Sequence, residues 1–170
     1  VLAGEHGGRF PRTREALASL PGVGRSTAAA IAVFAFGKRE AILDGNVKRV
    51  LARQFAVRGY PGDKRVEERL WTLAESQLPV KSIEGYTQAL MDLGATVCTR
   101  TRPACASCPV RASCEARARG NVLAYPRARP RKALPLKATR MLLLMRHGEV
   151  MLEKRPPAGI WGGLWCFPEI

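Results

Sequence analysis

Four cysteines lie close together in the chain, and their spacing suits the binding of one inorganic centre. Cys98, Cys105, Cys108 and Cys114 fall within 17 residues, with gaps of six, two and five residues between them. Four thiolates are suitable ligands for a zinc ion or for a [4Fe–4S] cluster. Structural zinc more often has two short Cys pairs, and only one pair is short here, so the spacing favours the cluster. Zinc stays open, as do two disulfides, although a chain of 170 residues does not need disulfides to be stable.

One carboxylate stands where a turn meets a predicted helix. Asp44 follows an apolar run and precedes Gly45, and Asn46 is expected to cap a helix that runs from Val47 to about Phe55. If Asn46 is the cap, the Asp44 carboxylate is free for chemistry. The alternative is that Asp44 is itself a turn or cap residue.

A helical hairpin must position these groups. Thr13 is expected to cap a helix over 14–20, and an Ala-rich helix follows and ends at Gly37. Between them lies Pro-Gly-Val-Gly at 21–24. The amides of such a turn, beside a new helix N-terminus, can form a concave anion site. A simple turn between packed helices is the competing interpretation.

The remaining patterns predict two more helices, a linker and short strands. Apolar residues at helical spacing indicate helices over 63–79 and from Ser82 to Val97, the second leading into the cysteine run. Residues 119–138 are rich in Pro and Arg and read as an extended basic linker. Two strands about a turn at His147 follow. Cys166 is expected to be a small buried side chain, and Trp161 and Trp165 either stack on bases or pack in a core.

The charge distribution favours a polyanionic partner. The net charge is +14, and residues 98–140 contribute +10 of it, with Glu115 as their one acid. Such a field attracts nucleic acid first and an acidic membrane second, and a merely solvated linker is the alternative for the Pro/Arg-rich part. The longest apolar run, 28–36, has nine residues, whereas a membrane span needs about 20. The basic residues of this window are Arg100, Arg102, Arg111, Arg117, Arg119, Arg127, Arg129, Arg131, Lys132, Lys137 and Arg140.

Three motifs in this order resemble the helix-hairpin-helix DNA glycosylase superfamily, and in particular adenine DNA glycosylases of the MutY type. They are Leu-Pro-Gly-Val-Gly-Arg at 20–25, Ile-Leu-Asp-Gly-Asn-Val-Lys-Arg-Val at 42–50, and the cysteine run. The resemblance implies a mainly α fold: a helix-hairpin-helix domain with a [4Fe–4S] cluster loop, then a basic linker and the first β-strands of a Nudix-like α+β domain. It also implies that Cys98, Cys105, Cys108 and Cys114 are the cluster ligands.

The resemblance assigns roles to individual residues. Asp44 is expected to stabilise positive charge on the sugar as the N-glycosidic bond breaks. Ser26 occupies the place where strand-cleaving relatives have a lysine that forms a Schiff base, so simple hydrolysis is expected. Ser26 and Asn46 are expected to line the substrate pocket. The expected DNA contacts are Gly22, Val23, Gly24, Arg25, Ser26, Lys48, Arg49, Arg100 and Arg102.

The implied substrate is double-stranded DNA that contains adenine opposite 8-oxoguanine or guanine. We expect domains at 1–118, including the cluster loop 98–114, and at 139–170, joined by the linker 119–138. We also expect a monomer with no membrane association, located in the cytoplasm of a bacterium, near the nucleoid, or in a eukaryotic nucleus. Because the chain begins at Val1 and no glutamate matches the family's general acid, we expect a fragment that is inactive alone. The alternatives are an endonuclease III-like glycosylase and lyase for oxidised pyrimidines, and a non-catalytic iron–sulfur DNA-binding module.

Overall fold

The computed structural model describes residues 1–130, 134–136 and 138–170, which separate into two compact units, Val1–Pro130 and Arg131–Ile170. Residues 131–133 and 137 of the predicted linker lie outside the described residues. The first unit is helical and the second contains short antiparallel strands, which confirms the predicted fold class. None of the described helices has the length and apolar character needed to cross a membrane.

Helices account for the regular structure of the first unit. They are α1 (Leu2–Glu5), α2 (Arg14–Ala18), α3 (Arg25–Phe36), α4 (Gly45–Gln54), α5 (Lys64–Ser76), α6 (Ile83–Asp92), a π-helical turn (Leu93–Val97), α7 (Glu115–Ala118) and a 3₁₀ turn (Val122–Ala124). The predicted cap of α2 is confirmed, because Thr13 Oγ1 accepts a hydrogen bond from the Ala16 amide at 3.3 Å. Gly37 ends α3 in the left-handed conformation, as predicted, with φ of 60°.

The main core forms where α4 and α5 pack together. Val47 and Leu51 of α4 lie in one cluster with Leu70 and Trp71 of α5, and all four side chains are buried. Full burial of one such aliphatic side chain contributes about 1.5–3 kcal/mol. This packing holds the beginning of α4, and therefore Asp44, on a rigid base.

The segment that leads into the cysteine run differs from its prediction. Instead of one α-helix up to Val97, α6 ends at Asp92 and a π-helical turn follows. Gly94 explains the tight packing here, because a Cβ at this position would lie 2.7 Å from the Cβ of Asn46 on α4. On α6, Ile83 and Thr87 are buried, whereas Ala89 is exposed.

The first unit continues into the predicted linker. Tyr125 is buried against Ala56 and Ala116, and the Arg127 amide donates to the Gly59 carbonyl at 3.1 Å. Residues 119–130 therefore belong to the first compact unit and are not an extended connection. The reason is that burial of one aromatic ring outweighs the preference of the Pro/Arg-rich composition for solvent.

The second unit consists of two short hairpins. Strand β1 (Met145–Arg146) pairs with β2 (Glu149–Val150), and β3 (Glu153–Lys154) pairs with β4 (Trp165–Cys166). His147 lies in the first turn with φ of 50°, as predicted. Cys166, predicted to be buried, is only half-buried, since it lies on a two-residue strand next to the Arg155 guanidinium.

Trp161 and Trp165 are also in the second unit. Their side chains are 65% and 64% exposed, so neither packs in a core within the described residues. The expectation that they stack on bases stays a prediction.

Candidate active site and cysteine loop

The hairpin between α2 and α3 presents an open turn. Gly22 has φ of 80°, and Gly24 caps α3 with an extended backbone. A Cβ at Gly22 or Gly24 would meet no atom within 4 Å, so no described part of the chain covers these glycines. Val23 packs inward against the cluster that contains Leu20. The exposed glycine backbone is therefore accessible to a partner such as a phosphate.

Arg25, predicted to contact DNA, is held against α5. Its guanidinium lies 3.8 Å from the centroid of the Trp71 ring and bonds Glu75 Oε1 at 2.6 Å. Both members of the ion pair are about half exposed, so the pair contributes little by itself. Stacking on Trp71 adds a cation–π contact. The geometry makes Arg25 a connection between the hairpin and α5.

Asp44 caps α4 with its own side chain. The Val47 amide donates to Asp44 Oδ1 at 2.7 Å, and Asp44 is the N-cap residue. The prediction that Asn46 caps this helix is wrong, because the helix begins at Gly45 and Asn46 lies inside its first turn. The carboxylate is half-buried and forms no ion pair with any described residue. The cap uses Oδ1, and Oδ2 accepts no hydrogen bond from the described residues.

Ser26 connects α3 to the segment that ends at Asp44. The Leu43 amide donates to Ser26 Oγ at 2.9 Å, across 17 residues of sequence. Gly24 is the cap of α3, and Ser26 lies in its first turn. Since Leu43 is buried, this hydroxyl satisfies an amide that water does not reach, and it fixes the backbone directly before Asp44.

Asn46 and Arg49 join α4 to the start of the cysteine loop. Arg49 Nη2 donates to Asn46 Oδ1 at 2.8 Å, and Arg49 Nε donates to the Cys98 carbonyl at 2.7 Å. Arg49 also donates to the Gly94 carbonyl. Burial lowers the pKa of the Arg49 guanidinium, although the Cys98 thiol opposes this effect. Arg49 was predicted to contact phosphate, but its guanidinium donates its hydrogen bonds to other groups of the protein.

Sequence reasoning missed Arg53, which is 2% exposed and donates hydrogen bonds to two parts of the chain. Its partners are the carbonyl oxygens of Cys98, Thr99, Arg100 and Tyr125, and the Cys98 sulfur at 3.2 Å. A signal existed, because position 53 follows Val47 and Val50 at intervals of three and falls on the buried face of α4.

The four predicted ligands line one pocket, together with apolar side chains such as Val50 and Leu93. All four thiols are free. Within the described ranges, no three His, Cys, Asp or Glu side chains converge closely enough for one metal ion. A zinc ion needs its sulfurs at about 2.3 Å. The four thiols nevertheless line the same pocket, so they are candidate ligands of one shared centre.

The thiols in this pocket influence one another electrostatically. Burial raises the pKa of the Cys105 thiol, and the neighbouring thiols Cys98, Cys114 and Cys108 raise it further. Four thiolates in one half-buried cavity repel each other unless a cationic centre compensates them.

The other predicted DNA contacts differ in their availability. Lys48 forms an ion pair with Glu67 at 2.5 Å, so it is not free in this structure. Arg100 and Arg102 are exposed on the cysteine loop, where Thr99 Oγ1 donates to the Arg102 carbonyl and shapes the loop.

Both units of the chain match known protein families. A profile of the helix-hairpin-helix motif matches residues 5–34, and a profile of the NUDIX domain matches residues 140–170. An adenine DNA glycosylase of Buchnera aphidicola (from Acyrthosiphon pisum) is 34% identical over 99% of this chain and 48% of its own length. The human adenine DNA glycosylase is 34% identical over 98% of this chain and 39% of its own length. The chain thus spans about half or less of the length of these relatives.

Solved structures show the same fold. A thermostable thymine-DNA glycosylase matches with a TM-score of 0.60 and 35% identity, over 70% of this chain and 54% of that one. An endonuclease III in a non-covalent DNA complex matches with a TM-score of 0.57 and 31% identity over the same shares.

The hairpin fold and these similarities place the chain in the helix-hairpin-helix DNA glycosylase superfamily. The relatives that match it across both units are adenine DNA glycosylases, which confirms the resemblance found in the sequence.

Proposed function

We propose that this chain belongs to a monofunctional glycosylase that hydrolyses the N-glycosidic bond of adenine opposite 8-oxoguanine or guanine in duplex DNA. The observation that carries the proposal is the Asp44 carboxylate, which α4 and the Ser26–Leu43 hydrogen bond hold in place without an ion pair among the described residues. Cleavage of the bond develops positive charge on the sugar. A preorganised carboxylate stabilises that charge more in the transition state than in the ground state.

Ser26 supports hydrolysis by water. A hydroxyl cannot form an imine with the sugar, and here it is already engaged by the Leu43 amide. The nearby lysine, Lys48, is held in an ion pair with Glu67. The expected product is an abasic site in an intact strand.

The cysteine loop is proposed to hold a [4Fe–4S] cluster through Cys98, Cys105, Cys108 and Cys114. When bound, the cluster supplies a structural cross-link and no electrons, because base hydrolysis is not a redox reaction. Protein purified without oxygen should contain about four iron atoms per chain. Cys108→Ser should lower the iron content, whereas Cys166→Ser should not; zinc in place of iron would overturn the assignment.

DNA contact is proposed through the backbone at Gly22–Gly24 and through the exposed Arg100 and Arg102. Arg25, Lys48 and Arg49 would need to exchange their protein partners before binding phosphate. The unit that begins after the linker is proposed to read 8-oxoguanine, since the NUDIX domain profile matches residues 140–170.

The test measures adenine release by the protein encoded in the complete reading frame. The substrate is a duplex with adenine opposite 8-oxoguanine, assayed under single-turnover conditions with and without alkali. Adenine should leave, strands should break only after alkali, and Asp44→Asn should lower the rate by about 100-fold or more. Asp92→Asn is the matched control, because Asp92 is exposed on α6.

Other outcomes contradict parts of the proposal. Strand cleavage without alkali would indicate a lyase. Release of thymine and not adenine would favour the activity named for a thymine/uracil-DNA glycosylase of Methanothermobacter thermautotrophicus, which is 38% identical over 67% of this chain. Binding without release of any base would indicate a non-catalytic DNA-binding module.

A further inference from the structure

A large groove lies in the first unit beside α4. It is separate from the pocket of the four cysteines, and no residue of the hairpin turn lines it. Its volume is about 790 Å³. One wall is Arg100–Thr101 of the cysteine loop, and the other is the segment 123–129. Gly45 and Lys48 of α4 and the turn Tyr60–Gly62 complete it. The groove therefore begins one residue from Asp44.

The charge in this groove has one sign. Its lining contains six arginine and lysine residues and no aspartate or glutamate. Arg49 and Arg53 are occupied by carbonyl oxygens, and Lys48 pairs with Glu67 from outside the lining. Three arginines remain. Arg100, Arg127 and Arg129 are exposed, and the described part of the chain supplies no hydrogen bond or ion pair to their side chains.

Arg53 builds the groove by joining its two walls. It donates to the Arg100 carbonyl at 3.0 Å on one wall and to the Tyr125 carbonyl at 2.9 Å on the other. The Arg127 amide donates to the Gly59 carbonyl, so the second wall is attached as far as Arg127. Arg100 and Arg127 thus project from anchored backbone, and Arg129 follows two residues after Arg127.

Tyr60 contributes an aromatic surface. Its ring lies over Gly62 so closely that a Cβ on Gly62 would be 2.4 Å from a ring carbon. Because residue 62 is a glycine, the Tyr60 ring can lie in the lining of the groove. An aromatic ring beside basic side chains can stack on the sugars and bases of a nucleic acid strand.

We propose that this groove binds the phosphate backbone of a DNA strand, with Arg100 on one wall and Arg127 and Arg129 on the other as phosphate contacts. The inference rests on the DNA-binding function proposed above and adds residues 123–129 to the interface. DNA is the occupant that fits best, because an acid-free basic groove attracts a polyanion.

The test is DNA binding by the protein of the complete reading frame, with a fully paired duplex and with one that contains adenine opposite 8-oxoguanine. Affinity is measured by fluorescence anisotropy between about 50 and 200 mM salt. The variant is Arg127→Gln with Arg129→Gln. The control is Arg65→Gln with Arg69→Gln, which removes the same charge from exposed positions on α5.

Loss of two phosphate contacts should reduce the slope of log K against log salt by about 1.8, since each contact contributes about 0.9. The same relation gives an affinity about 30-fold weaker near 0.15 M salt, equally for both duplexes. The control should keep the wild-type slope. Arg127→Lys with Arg129→Lys should restore most of it, because lysine retains the charge.

Equal slopes for the groove variant and the wild type would overturn the inference, as would an equal loss in the control. The first result would mean that another part of the protein fills the groove or that DNA passes elsewhere. If wild-type protein releases adenine and the slopes are equal, this inference alone fails. If the slope falls as expected but no adenine is released, the groove is confirmed and the proposed activity fails.

Discussion

Replacement of Arg53 by methionine should destabilise the protein more than any exposed substitution. Methionine fills a similar volume but donates no hydrogen bonds. The change leaves the buried Tyr125 carbonyl without its donor and removes those of the partly buried Thr99 and Arg100 carbonyls. A buried carbonyl without a donor costs about 1–3 kcal/mol and each of the two partly buried ones about 0.5–1.5 kcal/mol, so the loss is about 2–6 kcal/mol.

The assay is thermal unfolding followed by circular dichroism. In a chain of this size, about 3 kcal/mol lowers Tm by about 6–12 °C. Arg53→Lys should lie between wild type and Arg53→Met, since it keeps one charge but lacks the planar fork. Arg69→Met on the exposed face of α5 is the control and should change Tm by no more than about 2 °C. A Tm for Arg53→Met within 2 °C of wild type would refute the assigned role.

Three further predictions follow from single contacts. Ser26→Ala should lower Tm by several degrees and slow adenine release, because the buried Leu43 amide loses its acceptor; unchanged kinetics would mean that this bond does not position Asp44. Gly94→Ala should cost about 1–3 kcal/mol, measured by urea unfolding with Gly85→Ala as the control, since only the Gly94 substitution meets a neighbour, Asn46. Burial raises the pKa of the Tyr86 phenol, so stability should be intact below pH 10 and fall as the pH rises above it. Tyr86→Phe should reduce this alkaline loss, and an identical pH profile would contradict the assignment.

Local sequence patterns predicted the helical hairpin well. Thr13, Gly37 and the Pro-Gly turn act within four residues, so their roles depend on backbone geometry that the local sequence determines. The same locality misled the assignment at α4. Asp44 and Asn46 are both favourable N-cap residues. Which of them caps the helix depends on where the helix begins, and a shift of two residues changes the answer.

Charged residues were harder to interpret. Arg49, Arg53 and Arg100 have the same side chain and lie near the same loop, yet Arg53 is buried and Arg100 is exposed. The sequence predicted a phosphate contact for Arg49, and the structure has its guanidinium bonded to carbonyls near Cys98. The partners of Arg53 lie 45–72 residues away in the chain, a distance over which side-chain periodicity carries no information.

By itself, the sequence determined the order of the motifs, the compact set of four thiols and the concentration of positive charge in residues 98–140, because each depends only on residue type and spacing. Tertiary structure alone decided which arginines are consumed inside the protein and which remain for a partner. It also decided that the beginning of the predicted linker packs beside α4 and forms a groove. The physical reason is that both outcomes depend on hydrogen bonds and burial between segments far apart in the chain, which exist only after α4, the cysteine loop and Tyr125 have packed together.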